Sequence, residues 1–389
     1  MSATKIDNSG GKLTNAGDGE TTISASDITN TSGTLGGNGD MTVNAQTLEN
    51  DAGANLVAGG AANLNVTQRV NNAGGTLFGA TALNLNQANT VVINDNGVIL
   101  GGQDVSVNVA SMSNLGGAIR ANRDIETSGV ISGNGDMIAG RDLALAVVGD
   151  YTNDAANNLH ADGNMSVSAT GTLTNTGTLA ANGALTASGA NIVNTANADI
   201  NSSSTILNAS NAITNAGRIE GDTVTTNSAS LANTGAIIGN DVTVNASDIT
   251  NTGAAAVIAG ANSVHLYAAN SVTNADGALI YSLGNVEIAK DGTRDASGLL
   301  ANQTSTLTNS AATIEAEGNI DIAARTVSNV RTGVETQAGT PQDAGTTTLS
   351  LWTADLPINQ LGYYYKLRQQ RPEGRDPRFI GDEQCEPYR

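Results

Sequence analysis

A disulfide within this chain is impossible, because Cys385 is the only cysteine among 389 residues. Proline is nearly as scarce. Pro341, Pro357, Pro372, Pro377 and Pro387 are the five present, so the first 340 residues have none. That absence suits a backbone in which every N–H is needed for a strand ladder. Aromatic residues make up 3% of the chain, so an interior must be filled by Ile, Leu, Val and Ala, which favour narrow stacked layers. No run approaches the roughly 20 apolar residues of a membrane-spanning helix, and lipid insertion by this segment is not expected. Lys and Arg number 17 against 36 Asp and Glu, for a net charge of −19. Such a balance argues against nucleic acid as a partner and against docking on anionic lipid. Acidity spread this thinly reads as a solubility device rather than as calcium binding.

Groups that carry chemistry are sparse too. His160 and His265 are the two histidines; they lie far apart in sequence, with only Asp162 as a nearby acid. No His/Cys set for a metal is present, nor a Ser-centred nucleophile motif. The paired carboxylates that a glycan-active β-helical enzyme needs are not evident. Gly36-Gly37-Asn38-Gly39-Asp40 and its echo Ser132-Gly133-Asn134-Gly135-Asp136 hint at the calcium-binding nonapeptide, but the spacing is off by one and no tandem copy follows. The expectation is a chain with no catalytic residue, no cofactor and no metal, and not an enzyme.

What the sequence does have is a repeat of roughly 20 residues. Its anchor is an aliphatic–x–Asn step followed by Gly. It is clear at Leu13–Gly17, Leu173–Gly177, Ile213–Gly217, Leu231–Gly235 and Ile249–Gly253, with looser copies at Asn30, Asn50, Asn72, Asn94, Asn114, Asn153, Asn194, Asn274, Asn309 and Asn329. Asn175, Gly177, Asn215, Gly217, Asn233, Gly235, Asn251 and Gly253 are therefore structural corner positions. Both residue types tolerate the positive φ of a tight corner, and Asn at matching corners should stack into hydrogen-bonded ladders.

One turn runs from Leu231 to Thr250. After the corner Asn233-Thr234-Gly235 comes Ala236-Ile237-Ile238, then a second corner at Gly239-Asn240-Asp241, then Val242-Thr243-Val244-Asn245-Ala246. Alternation of period two puts Val242, Val244 and Ala246 on one face. Short runs rich in Val and Thr are strands, and no window supports a helix, which excludes a leucine-rich repeat. The fold predicted is all-β, a parallel β-helix of about sixteen turns and about 75–80 Å at the ordinary strand spacing. Two places break the period. Ile125-Glu126-Thr127-Ser128-Gly129 reads as a degenerate anchor, and the excess around Lys290–Asp295 reads as a loop leaving the rod.

The anchors stop after Asn329, and two domains are expected, 1–340 and 341–389. The second holds all the prolines and six of the ten aromatics. Tyr, Trp and Arg dominate binding hot spots, so Trp352, Tyr363, Tyr364, Tyr365, Arg368 and Phe379 are candidate partner-binding residues. The competing reading is a cap over the apolar end of the solenoid, or the start of a receptor-binding region.

The frame at Thr172–Ala180 and Ile213–Ile219 resembles the filamentous haemagglutinin repeat of two-partner-secretion exoproteins, which include haemagglutinin adhesins and contact-dependent growth inhibition effectors. The resemblance covers roughly residues 13–330. It implies that the β-helix is right-handed, that export uses an outer-membrane transporter as partner, and that the protein is a filament on the surface of a Gram-negative cell. It further implies an outer-membrane or host cell-surface receptor. Met1-Ser2-Ala3-Thr4-Lys5 lacks an apolar signal region and repeats are under way by Leu13, so an internal piece of a larger secreted protein is expected. The function expected is a structural stalk that presents a receptor-binding or toxin-delivery element. The alternatives are an adhesin binding host glycan or protein through the rod flank or tail and, more remotely, a polysaccharide-active enzyme.

Overall fold

A computed structural model describes residues 1–331 apart from Asn134 and Asn157. The described residues form short parallel strands wound into a β-solenoid of about 15 turns, with no helix among them. Each strand pairs with its counterpart one turn earlier and one turn later. Val43 of the strand Met41–Glu49, for example, lies between Ile23 and Leu64. At about 4.8 Å per turn the stack is about 70 Å long.

Three strand segments make up a turn, and each sends one or two columns of side chains inward. The first column runs Ile28, Leu48, Val70, Val92, Met112; the second runs Leu35, Leu56, Leu77, Ile99, Ile119; the third runs Val43, Leu64, Leu85, Val107. All of these are buried. Parallel in-register stacking places like beside like, so a column of branched aliphatics packs without gaps, and each such side chain contributes about 1.5–3 kcal/mol by leaving water. Val242 and Val244 face inward as the alternation requires.

The anchor Asn residues form the predicted ladder. Nδ2 of each donates to Oδ1 of the next, at 2.7 Å from Asn215 to Asn233 and 2.7 Å from Asn233 to Asn251. The second amide hydrogen goes to a backbone carbonyl of the following turn, as from Asn233 to Val257 at 3.1 Å. The Leu13–Gly17 copy is out of phase. Leu13 pairs with Leu35 in the second column, and the first rung of the ladder is Asn8, which donates to Asn30 at 2.7 Å. The Ile125 assignment also shifts. Ile125 stacks between Val105 and Leu143 on the third segment, and the missing rung is Gly133. A Cβ there would lie 2.8 Å from Leu115 Cβ, so no side chain fits, and Nδ2 of Asn114 has no partner among the described residues. Polar contact resumes at Asn153, which donates to Asn175 at 2.7 Å.

The corner residues work differently from the expected positive φ. No ladder Asn has one; each lies at the end of a strand or within one residue of it. Where the first corner is long, positive φ falls two residues later, at Ser32, Ala52 and Asn96. Gly253 is of that kind, with φ +99°. At Gly177, Gly217 and Gly235 the reason for glycine is close approach. A Cβ would meet a backbone carbonyl of the preceding turn at 2.7, 2.2 and 2.1 Å respectively.

The second corner, between the second and third segments, is shortened by one residue at one place along the rod. Most turns take six residues from one inward position to the next, as from Leu35 to Met41 or Leu179 to Leu185. Three consecutive turns take five, at Ile200–Thr205, Ile219–Val224 and Ile237–Val242. There the expected corner at Gly239-Asn240-Asp241 is absorbed into the strand Ala236–Thr252.

Two outcomes follow from the interior. Asn233→Ala leaves a donor of Asn215 and the acceptor of Asn251 unpaired and buried, and should cost about 2–4 kcal/mol, read as a lower denaturant midpoint. Thr226 replaces an aliphatic in the third column, stacks between Leu207 and Val244, and its buried hydroxyl has no partner among the described residues. Thr226→Val should raise stability by about 1 kcal/mol in the same measurement; no gain would show that the hydroxyl is bonded.

Candidate functional site

The third corner carries one large departure. Nineteen residues separate Ile288 from Leu307, where neighbouring turns use five or six. The extra chain is the predicted polar excursion, and it is built from its own side chains. Asp291 accepts two bonds of 2.9 Å from Asn302 and one from the Thr293 amide, which hold its carboxyl below the usual range. Asp295 accepts from the amides of Ser297 and Leu299, closing a turn at Gly298, and Arg294 pairs antiparallel with Leu300.

A side-chain cluster fastens this loop to the rod. His265, Glu287 and Asp321 occupy one outward column on successive turns. Arg294 reaches back from the loop to bond Glu287 and, at 3.1 Å, Asp321. Tyr267 donates its hydroxyl to Glu287 at 2.8 Å and stacks on His265, with ring centroids 5.6 Å apart. Loop backbone covers the phenol, since a Cβ on Gly292 would lie 2.7 Å from its oxygen. Burial, and then the bond to Glu287, raise the Tyr267 ionisation well above its ordinary value, so the hydroxyl remains a neutral donor.

Every strong group in this cluster is engaged by another. Glu287 takes Arg294 and Tyr267, and the guanidinium is shared by two carboxylates. The arrangement is a clamp that holds the loop and presents its tip, where Leu299 is 59% exposed. The described residues contain no group of three or more metal-ligating side chains.

Sequence reasoning placed no acid beside His265. Its nearest one, Glu287, lies a full turn away in sequence, with Oε2 3.9 Å from Nε2. Aligning the turns by their anchors is the signal that finds it. His160 does meet Asp162, at 3.1 Å. Asp40 and Asp136 of the calcium-like stretches each accept a backbone amide from the next turn, from Ala61 at 2.8 Å and Asn158 at 3.0 Å. Trp352, Tyr363, Tyr364, Tyr365, Arg368 and Phe379 lie outside the described residues. The last described strand, Ala324–Val330, ends short of the expected boundary at 340, and residues 332–340 are likewise outside.

Comparisons with protein-family models, with curated proteins and with solved structures found no match to this chain.

If the clamp holds the loop, Glu287→Gln with Asp321→Asn should speed tryptic cleavage after Arg294 by about tenfold, because both carboxylates that hold the guanidinium lose their charge. An unchanged cleavage rate would mean that the loop is held by its internal turns alone.

Proposed function

We propose that this chain is the stalk of a secreted, cell-surface filament that presents a receptor-binding or toxin-delivery element. The observation that carries the reading is the uniform stack itself. Its turns repeat one frame, with the interior taken up by aliphatic columns and the Asn ladder. A rod of that kind is consistent with a structural stalk, since added turns extend reach without altering the cross-section. Export through an outer-membrane transporter is supported by the near-absence of cysteine and by the nearest-neighbour character of the fold. A turn needs only its predecessor to form on, so the chain can fold as it emerges. The crowding of Trp, Tyr and Arg beyond residue 341 supports the tail as the receptor-reading portion.

A second reading is adhesion through the flank. The outward column of the second segment carries Val57, Phe78 and Leu100 on adjacent turns, whereas the matching column of the first segment on the same turns carries Glu49, Asn71 and Ile93. An apolar strip on one side of a rod marks an interaction surface.

Binding of purified full-length and 1–340 protein to Gram-negative and host-type cells separates these readings. Saturable binding lost on truncation is the outcome expected for a tail that recognises a receptor. Binding retained by 1–340 would move recognition to the flank, and binding by neither would overturn presentation of a receptor-binding element within this chain.

A further inference from the structure

The three shortened second corners have a consequence on the outside of the rod. Removing one residue from three successive turns draws the surface inward, while the flanking turns keep their six-residue corners and overhang. The result is an open groove of about 670 Å³ that runs along the axis. Its floor is small, made by residues such as Ser202, Gly221 and Gly239. Asn182 stands at one end, and Tyr281 and Leu283 stand at the other.

From this geometry we propose that the groove is a binding site for a short stretch of an uncharged polysaccharide. The proposal gives a substrate class and a place to the flank-adhesion reading, and rests on it only for its biological use. Three observations select the occupant. First, the backbone at the floor is already bonded to adjacent turns, as from Ser203 to Gly183 at 3.0 Å and Thr223 to Ser203 at 3.2 Å. A peptide therefore cannot join by strand addition, and any ligand must be held by side chains. Second, the lining carries Glu220 and Asp222 and no Lys, Arg or His. Polyanions, including sulfated or uronic-acid chains, are repelled. The carboxylates are not bare, because Arg218 holds Glu220 and Asn240 donates to Asp222 at 3.2 Å. They remain good acceptors for hydroxyls while offering a cationic side chain less than a free acid would. Third, Tyr281 is fixed by its hydroxyl, which donates to Glu317 at 3.0 Å, and its ring forms part of the groove wall. A fixed ring at one end of the groove, with Asn240 two turns away and Glu220 three turns away, suits an extended run of sugars, each with an apolar C–H face and a rim of hydroxyls. Asn182, Ser203, Asp222 and Asn240 line the groove on four successive turns, spaced at about 4.8 Å, close to the length of one sugar unit.

The test uses the full chain and isothermal titration with cellohexaose, maltohexaose and chitohexaose, with heparin and hexalysine as charged comparisons. Saturable binding of at least one neutral oligosaccharide is expected, with none of heparin. Asp222→Asn and Tyr281→Ala should each weaken it by about tenfold, the loss of one charge-assisted hydrogen bond or one stacked ring. A Gly inserted after Gly239 restores a six-residue corner and should weaken binding likewise. Gln68→Ala, at an exposed position outside the groove, should leave it unchanged. Asp222 is exposed, so its amide variant keeps the test valid if the other two fail to fold. No binding of any neutral probe, binding of hexalysine alone, or neutral binding indifferent to Asp222→Asn would each overturn the proposal. Oligosaccharide binding without cell binding would leave the groove standing and remove the adhesive reading.

Discussion

Axial hydrogen bonding between successive turns is the constraint on which the rest of this structure depends. Along the strands, each backbone N–H and C=O is committed to the turn above or below, so a residue's neighbours are its counterparts in adjacent repeats. Proline cannot serve in such a ladder, and its confinement beyond residue 340 follows. A wide aromatic in an inward column would have to stack on another or distort its neighbours. Among the described residues Tyr151 is the one aromatic there, packed on Leu173, and it sits where the Asn ladder has just been interrupted. Asn at the anchor is the polar counterpart of the same rule. Its amide has a donor facing one way along the axis and an acceptor facing the other, so identical residues at the turn spacing satisfy one another indefinitely.

Since the strands are bound to this register, variation is confined to corners. A corner shortened by one residue recesses the surface, and one lengthened by thirteen or fourteen expels a loop. The structure uses both devices, in neighbouring turns. The short corners at Ile200–Thr205, Ile219–Val224 and Ile237–Val242 produce the groove, and the excess between Ile288 and Leu307 produces the clamped loop. Neither breaks the register of the inward columns, although two of the short-corner turns carry a buried Thr in the third column, at Thr205 and Thr226. Surface features that bear on recognition can thus change while the register of the core is kept.

The period, the strand type and the parallel coiling were legible because they depend on patterns repeated many times. Phase was less so. Leu13-Thr14-Asn15-Ala16-Gly17 matches the anchor letter for letter, yet it stacks on Leu35, because Ile6 and Asn8 have already taken the anchor's place one segment earlier. A motif of five common residues recurs by chance in a chain of this composition, and only pairing with the next turn distinguishes true from false. The role of glycine was misread for a related reason. Positive φ is a local property that sequence suggests, whereas the approach of a carbonyl from the preceding turn to Gly217 or Gly235 belongs to a neighbour about 20 residues away. His265 and Glu287 escaped notice on the same ground. Contacts between turns are read only after the register is known.

The polarity of the Asn ladder adds a last consequence. From Asn8 to Asn114, and again from Asn153 to Asn329, every amide donates toward the C-terminal end. Aligned bonds of this sort polarise one another, so a rung gains from the length of the run on either side. At Gly133 the run stops, and no pairing joins the strand Ile125–Ser132 to Tyr151–Asn153 on the first segment. The second and third segments stay paired across this point, through Met137 with Leu159 and Leu143 with Met165. The rod is therefore continuous in two of its three strand columns and divided in the third. In a fold whose stability is a sum of nearest-neighbour terms, the interface at this turn is held by two strand ladders where the others are held by three.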